Sequence, residues 1–258
     1  MPYVWTGAVS FGLINIPVKL YHASREREPK FHYLRRKDLC PIAYAKICRN
    51  TGAEVSNRDI VKAYEYEKGE YALLEDEDFK KAYPRKTSLI EMMDFVDEKE
   101  IDLKFVEKRY YLEPDKDAKK VYALLREALK KSKRAGIAKF VLRNREYLGL
   151  IHAEDSAMMM YRMRFLDELR PPKELDLPKG VAVADKELDL AVRLINRLSS
   201  HFRPEKYQDT FTEAMKGIIK ERIEGKEPSS HEEAPPPTEI PDLTARLKQS
   251  LELTRHRH

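Results

Sequence analysis

Hydrophobic and polar positions alternate from the start of the chain, with a change of phase. In WTGAVSFGLINIPVKLY, Trp5, Gly7, Val9, Phe11 and Leu13 hold odd positions, whereas Ile14, Ile16, Val18 and Leu20 hold even ones. Side chains of a strand alternate between its two faces, so a straight strand cannot carry this pattern. The segment must bend, carry a bulge, or be two strands in succession. Short alternating runs continue as predicted strands over Lys30–Leu34, Ala43–Cys48, Glu70–Leu74, Ser88–Val96 and Arg109–Leu112. Helical turns are expected at Asp76–Ala82 and Asp97–Ile101.

The period then lengthens. Val121, Leu124, Leu125, Ala128 and Leu129 form one stripe of a helix predicted over Asp117–Lys131, with Gly136 expected to end that unit. Strands follow at Ile137–Arg143, Tyr147–His152 and Met158–Phe165. Pro171, Pro172, Pro178 and Gly180 mark a boundary. Beyond it, Asp185–His201 has a helical stripe, and Pro204 is expected to open a second helix carrying Tyr207, Phe211 and Met215 at helical spacing. Gly225–Pro237 reads as a flexible Pro/Ser/Glu-rich linker. Leu243, Leu247 and Leu251 then form a short stripe, too short to hold a helix without something to pack against. No internal repeat is evident.

Charge changes the picture through its placement. The net formal charge of the 258 residues is only +5. Yet Arg25–Arg49 holds eight basic residues against three acidic, and Lys130–Arg145 holds seven basic and no acidic. Glu65–Asp78 reverses this, with seven acidic residues against one Lys. A fold could gather the basic blocks on one face, where they would meet phosphates without reading bases.

Candidate chemistry is sparse. No nucleophile elbow, P-loop, dinucleotide fingerprint or HExxH motif occurs. Gly7 and Gly12 lack the Lys-Ser/Thr that completes a phosphate loop. The carboxylates sit in charged runs that read as solvated faces. Cys40 and Cys48 are too few for a disulfide framework, and Cys48-Arg-Asn-Thr51 is half a zinc knuckle without its second thiolate. Both cysteines read as structural thiols. No metal, no cofactor and no catalytic residue is expected. The apolar runs are too short for a membrane span, and a soluble, reducing, cytoplasmic setting is expected.

The opening segment resembles the N-terminal signature of the bacterial Ku family. The similarity continues in order through FHYLRRKD, DIVKAYEYEKGEYALL, YYLEPD, VYALLREAL, GIAKFVLRNREYLGLI, FLDELR and HFRPEKYQDTFTEAMKGIIKERIEGK, covering roughly residues 1–225. The resemblance implies a mixed α+β fold: a β-barrel core over residues 1–184 with bridge strands that form a ring in a homodimer. A helical C-terminal domain would span 185–225, with the linker and tail at 226–258. It implies a non-enzymatic protein that threads onto double-stranded DNA ends, protects them and recruits ligase D in non-homologous end joining. Arg35, Arg36, Lys37, Lys46 and Arg49 are then the expected DNA contacts of the bridge, followed by Lys130, Lys131, Lys133 and Arg134. Tyr207, Phe211 and Met215 are the expected partner-binding residues. The acidic Glu65–Asp78 stretch would face outward, and the dimer would be obligate because bridge strands leave unpaired edges in a monomer.

Where many relatives carry Cys-x-x-Cys this chain has Cys48-Arg-Asn-Thr51. In place of a Lys-rich tail it has an acidic, Pro-rich linker ending in His256, Arg257 and His258. Other classes stay open: a recruitment scaffold acting mainly through its C-terminal helices and tail, or a Mg²⁺-dependent nuclease using the carboxylate runs.

Overall fold

The computed structural model describes residues 2–25, 27–82, 88–143, 145–227 and 243–253. Two compact units emerge: Met1–Glu26 with His32–Pro171, and Arg27–Phe31 with Pro172–His258.

The phase change at the start resolves into two strands rather than one bent strand. β1 (Trp5–Phe11) and β2 (Ile14–His22) form an antiparallel hairpin around Gly12 and Leu13. Trp5 faces Leu20 and Val9 faces Ile16, so odd positions on β1 share a face with even positions on β2. A two-residue loop imposes this change of parity. Gly12 has φ of +58° at the first loop position, the conformation a type II′ turn needs there. Of the three ways to carry the phase change, two strands in succession is the one that forms. Leu13 is the exposed tip of a hairpin.

β3 (Lys62–Glu67), β4 (Glu70–Leu74), β5 (Leu89–Asp97), β6 (Val106–Pro114), β7 (Arg134–Val141), β8 (Glu146–Glu154) and β9 (Ala157–Met163) follow. Seven strands close a barrel in the order β1-β2-β6-β9-β8-β7-β5. The parallel pairing of Ala8, Val9 and Ser10 with Leu89, Ile90 and Glu91 completes the circle. Closure removes the sheet edges. Pro17 fits this circle without loss. Its carbonyl accepts the Asp115 N–H at 3.0 Å, and the β2–β6 ladder begins only at the next residue, so no ladder donor is missing.

Val9, Ile16, Val18, Leu20, Ile90, Tyr110, Met158 and Met160 fill the core. Helix α2 is the continuation of that core, burying Tyr122, Leu125 and Leu129 from an amphipathic stripe. It spans Lys119–Ser132 behind a 3-10 turn at Lys116–Ala118. The expected stop at Gly136 is corrected. Lys133 ends the helix in the left-handed region (φ +54°), its N–H bonded to the Leu129 carbonyl. Gly136 instead lies within β7, where a Cβ would stand 2.0 Å from Met92 Cε.

Between β2 and β5 the chain makes a long excursion that behaves differently. No described residue from His32 to Lys81 is buried. The predicted strands Lys30–Leu34 and Ala43–Cys48 do not form; only single bridges occur, Leu34 with Pro41 and Ile47 with Glu54. Their alternating side chains bury nothing among the described residues beyond an edge contact between the Tyr33 and Tyr44 rings at 6.4 Å. β3 and β4 pair only with each other, and helix α1 (Asp76–Ala82) follows as predicted. The hairpin carrying the acidic stretch is exposed on both faces.

The second unit holds α3 (Asp185–Leu198), α4 (Thr210–Ile223) and α5 (Leu243–Leu253). Pro204 opens only a 3-10 turn, Pro204–Lys206, and α4 starts anew where Asp209 accepts the Thr212 N–H at 2.9 Å. The expected linker lies outside the described residues from 228 onward, as do His256, Arg257 and His258. No helix among the described residues is long and apolar enough to cross a membrane.

Candidate nucleic-acid interface

The basic residues of the excursion sit on two consecutive turns. In the first, the Arg35 N–H bonds to the Cys40 carbonyl and Leu39 takes a left-handed φ of +56°. The Arg35 guanidinium holds the Asp38 carboxylate with two hydrogen bonds, Nε to Oδ1 at 2.9 Å and a second from Nη2. This contact keeps the Asp38 carboxyl below, and the Arg35 guanidinium above, their ordinary ranges. Arg35 thus closes its own turn. Arg36 and Lys37, at the tip, are exposed and have no partner among the described residues.

The second turn is built around Cys48. Its N–H bonds to the Ala53 carbonyl and the Gly52 N–H returns to the Cys48 carbonyl, both at 2.8 Å. The Thr51 side chain, then the backbone N–H groups of Thr51 and Asn50, hold the thiol below its ordinary range. This is a knuckle with Thr51 where a second sulfur would stand. Among the described residues no group of three His, Cys, Asp or Glu side chains could hold a metal ion. Arg49 projects from this turn, exposed and without a partner among the described residues. Lys46 donates to Asn57 Oδ1 at 2.8 Å, a neutral partner that leaves its charge intact.

Lys130, Lys131, Lys133 and Arg134 occupy a different element, the corner between α2 and β7. All four are exposed and make no ion pair among the described residues. Two of the three other cations of that block are committed: Lys139 pairs with Glu146 at 3.2 Å and Arg145 with Glu168. Glu168 also meets Arg164 at 3.7 Å, and Glu107 pairs with Arg164 at 3.3 Å and with Arg162. Arg162 in turn lies over the Tyr147 ring at 4.6 Å. These arginines stiffen the barrel wall.

A third basic group escapes sequence reasoning. Where the excursion leaves the barrel, a groove of about 1290 Å³ is lined by His22, Arg25, Glu107, Lys108 and Arg109. Lys108 and Arg109 lie near the start of β6, outside both basic blocks of the sequence. The register of His22 against Tyr110 is what brings them to Arg25, and nothing local in the sequence announces it.

The expected partner-binding trio is not one helical face. Tyr207 precedes α4 and stacks on Phe202 at 5.8 Å, Phe211 is exposed in the first turn of α4, and Met215 is half-buried.

The fold defines a closed β-barrel protein that carries a long basic excursion with no buried residue among those described. Comparison with known proteins identifies the family. Residues 10–190 match the family model described as the Ku70/Ku80 beta-barrel domain. The chain is 41% identical over 258 residues to the non-homologous end joining protein Ku of Opitutus terrae, covering 98% of this chain and 92% of that protein. It is 38% identical to the Archaeoglobus fulgidus protein of the same name, covering 98% and 99%. Against the Bacillus subtilis protein it is 36% identical, covering 99% and 83%. The chain belongs to the Ku family.

Proposed function

We propose that this protein acts in non-homologous end joining as a homodimeric ring. It binds double-stranded DNA ends without sequence specificity, protects them and recruits ligase D. The observation that carries this reading is the excursion His32–Lys81, which has exposed large apolar side chains such as Tyr44 and Leu73 and, among the described residues, cations without a partner and no buried position. An isolated two-stranded hairpin is marginal in water. β3–β4 also leaves both edges open, so a second copy of the excursion is the natural covering surface. Arg36, Lys37, Arg49 and Lys46 then supply phosphate contacts from the bridge, with Lys130, Lys131, Lys133, Arg134 and the Arg25–Lys108–Arg109 group as further candidates. Arg35 serves mainly to hold the first turn. Such a set reads backbone charge, not sequence. The Phe202–Tyr207 stack, Phe211 and Met215 offer the ligase an apolar anchor.

Competition between linear and covalently closed circular duplex tests the end-loading claim. A ring prefers the linear form, and equal affinity for the two would overturn it. Sedimentation tests the assembly: a stable folded monomer at micromolar concentration would contradict the dimer.

A further inference from the structure

Helix α5 has eleven residues, fewer than a helix needs to persist alone in water. It is seated on α3 of the same unit. On α3, Leu190, Ala191 and Leu194 share the half-buried face, and on α5 Leu247 and Leu251 are half-buried in turn. The ends are matched as well. Thr244 Oγ1 donates to Glu187 Oε1 at 3.3 Å near the start of both helices. Arg197 Nη1 donates to the Leu251 carbonyl at 2.7 Å near the end of both.

The two helices therefore run the same way, which sets like dipole ends side by side. Glu187 at the positive end of α5 and Arg197 on its terminal carbonyl offset that repulsion. The α3 face thus specifies a docked helix by shape, by leucine spacing and by direction. No residue of either helix is fully buried, so this seat is held by partial burial and two polar contacts. Its tether to α4 keeps α5 at high local concentration, which lets a weak contact stay occupied. A contact of that kind opens readily.

We infer that α5 is a cover held in cis over a helix-receiving face of α3. While seated, it withholds Leu190, Ala191 and Leu194. Once displaced, that face takes a partner helix with leucines four residues apart and the same direction as α5.

The test uses full-length protein and a labelled peptide of residues 243–253, held helical by a lactam bridge between the exposed positions 245 and 249. Leu247→Asp with Leu251→Asp unseats the tail without touching α3. The peptide is expected to bind this double variant at least tenfold more tightly than the wild type. Adding Leu194→Asp abolishes that binding, whereas adding Leu188→Asp, on the exposed side of α3, leaves it intact. Equal binding to wild type and double variant, or none to the double variant, overturns the proposal. A photo-crosslinker installed at position 247 of the full chain should give an adduct within one chain to α3. An adduct between two chains would place a second copy's helix on the seat and overturn the assignment in cis.

Discussion

The hydroxyl of Tyr122 accepts the amide N–H of Met158 at 2.7 Å. It also donates to the Leu112 carbonyl at 2.8 Å, and Leu112 and Met158 are register partners at the end of the β6–β9 ladder. A helix side chain thereby completes the ladder between two barrel strands, in a buried place without access to water. Burial raises the phenol above its ordinary pKa, so it stays neutral and able to donate. Tyr122→Phe keeps the ring but strands two buried backbone groups. The expected loss is about 1–3 kcal/mol, read from urea unfolding as a lower midpoint with an unchanged slope.

Two glycines separate steric closure from helix propensity. A Cβ on Gly7 would lie 2.2 Å from the Ser88 carbonyl oxygen and 2.3 Å from the Trp5 ring. That carbonyl accepts the Ala8 N–H at 2.9 Å, next to the parallel pairing that closes the barrel. Gly7→Ala forces backbone apart and should cost about 2–3 kcal/mol or more. Gly217 lies inside α4 with nothing within 4 Å of a built Cβ. There Gly217→Ala should stabilise α4 by about 0.5–1 kcal/mol. Thermal unfolding of the two variants should shift in opposite directions.

The barrel was legible because its residues pack against one another. The parity of Trp5–Leu20, the Leu125 and Leu129 positions of the α2 stripe and the apolar runs of β7, β8 and β9 each encode contacts made inside one chain. Leu124 and Ala128 of that stripe are exposed, and Tyr122 is buried in their stead. Within the excursion, Glu70–Leu74 and Asp76–Ala82 form as predicted, but its first half was not legible as structure. Tyr33, Tyr44 and Ile47 lie in runs that alternate like strands, yet all are exposed, and among the described residues these runs hold only single bridges and a Tyr33–Tyr44 ring contact. Pro204 misleads more locally, because a proline that can open a helix opens a 3-10 turn here while Asp209 supplies the cap for α4. Among site residues, the cations of Arg35–Arg49 stood out as a run. The run could not show that Arg35 is engaged by Asp38, nor that Lys108 joins Arg25 across the barrel rim.

That difference between Arg35 and its neighbours sets a graded prediction for DNA binding. Replacing Arg36, Lys37 and Arg49 together by Glu should weaken binding to every duplex sequence alike. For every phosphate that is no longer neutralised, the plot of log affinity against log salt should flatten by about 0.9. Arg35→Gln should change that slope less, because its charge is already matched by Asp38. Titrations of labelled duplex at several salt concentrations read both quantities. A slope that Arg35→Gln alone flattens as much as the triple variant would reverse the assignment of these residues.

Asp209 links pH to the start of α4. Its carboxylate accepts from both the hydroxyl and the N–H of Thr212, and these bonds hold its pKa below the ordinary carboxylate value. A depressed folded-state pKa means that the cap's contribution is complete above the unfolded-state value near 4. It is lost as pH falls through the lower folded value, where protonation removes the charged acceptor. Helicity of α4 should therefore decline on the acid side of pH 4 and stay flat from pH 5 to 8. Asp209→Asn retains an N-cap acceptor that does not titrate. In that variant the acid-side decline of the α4 amide signals, followed by NMR through Phe211–Met215, should disappear while the rest of the profile is unchanged. If the decline persists in Asp209→Asn, another carboxylate controls the helix.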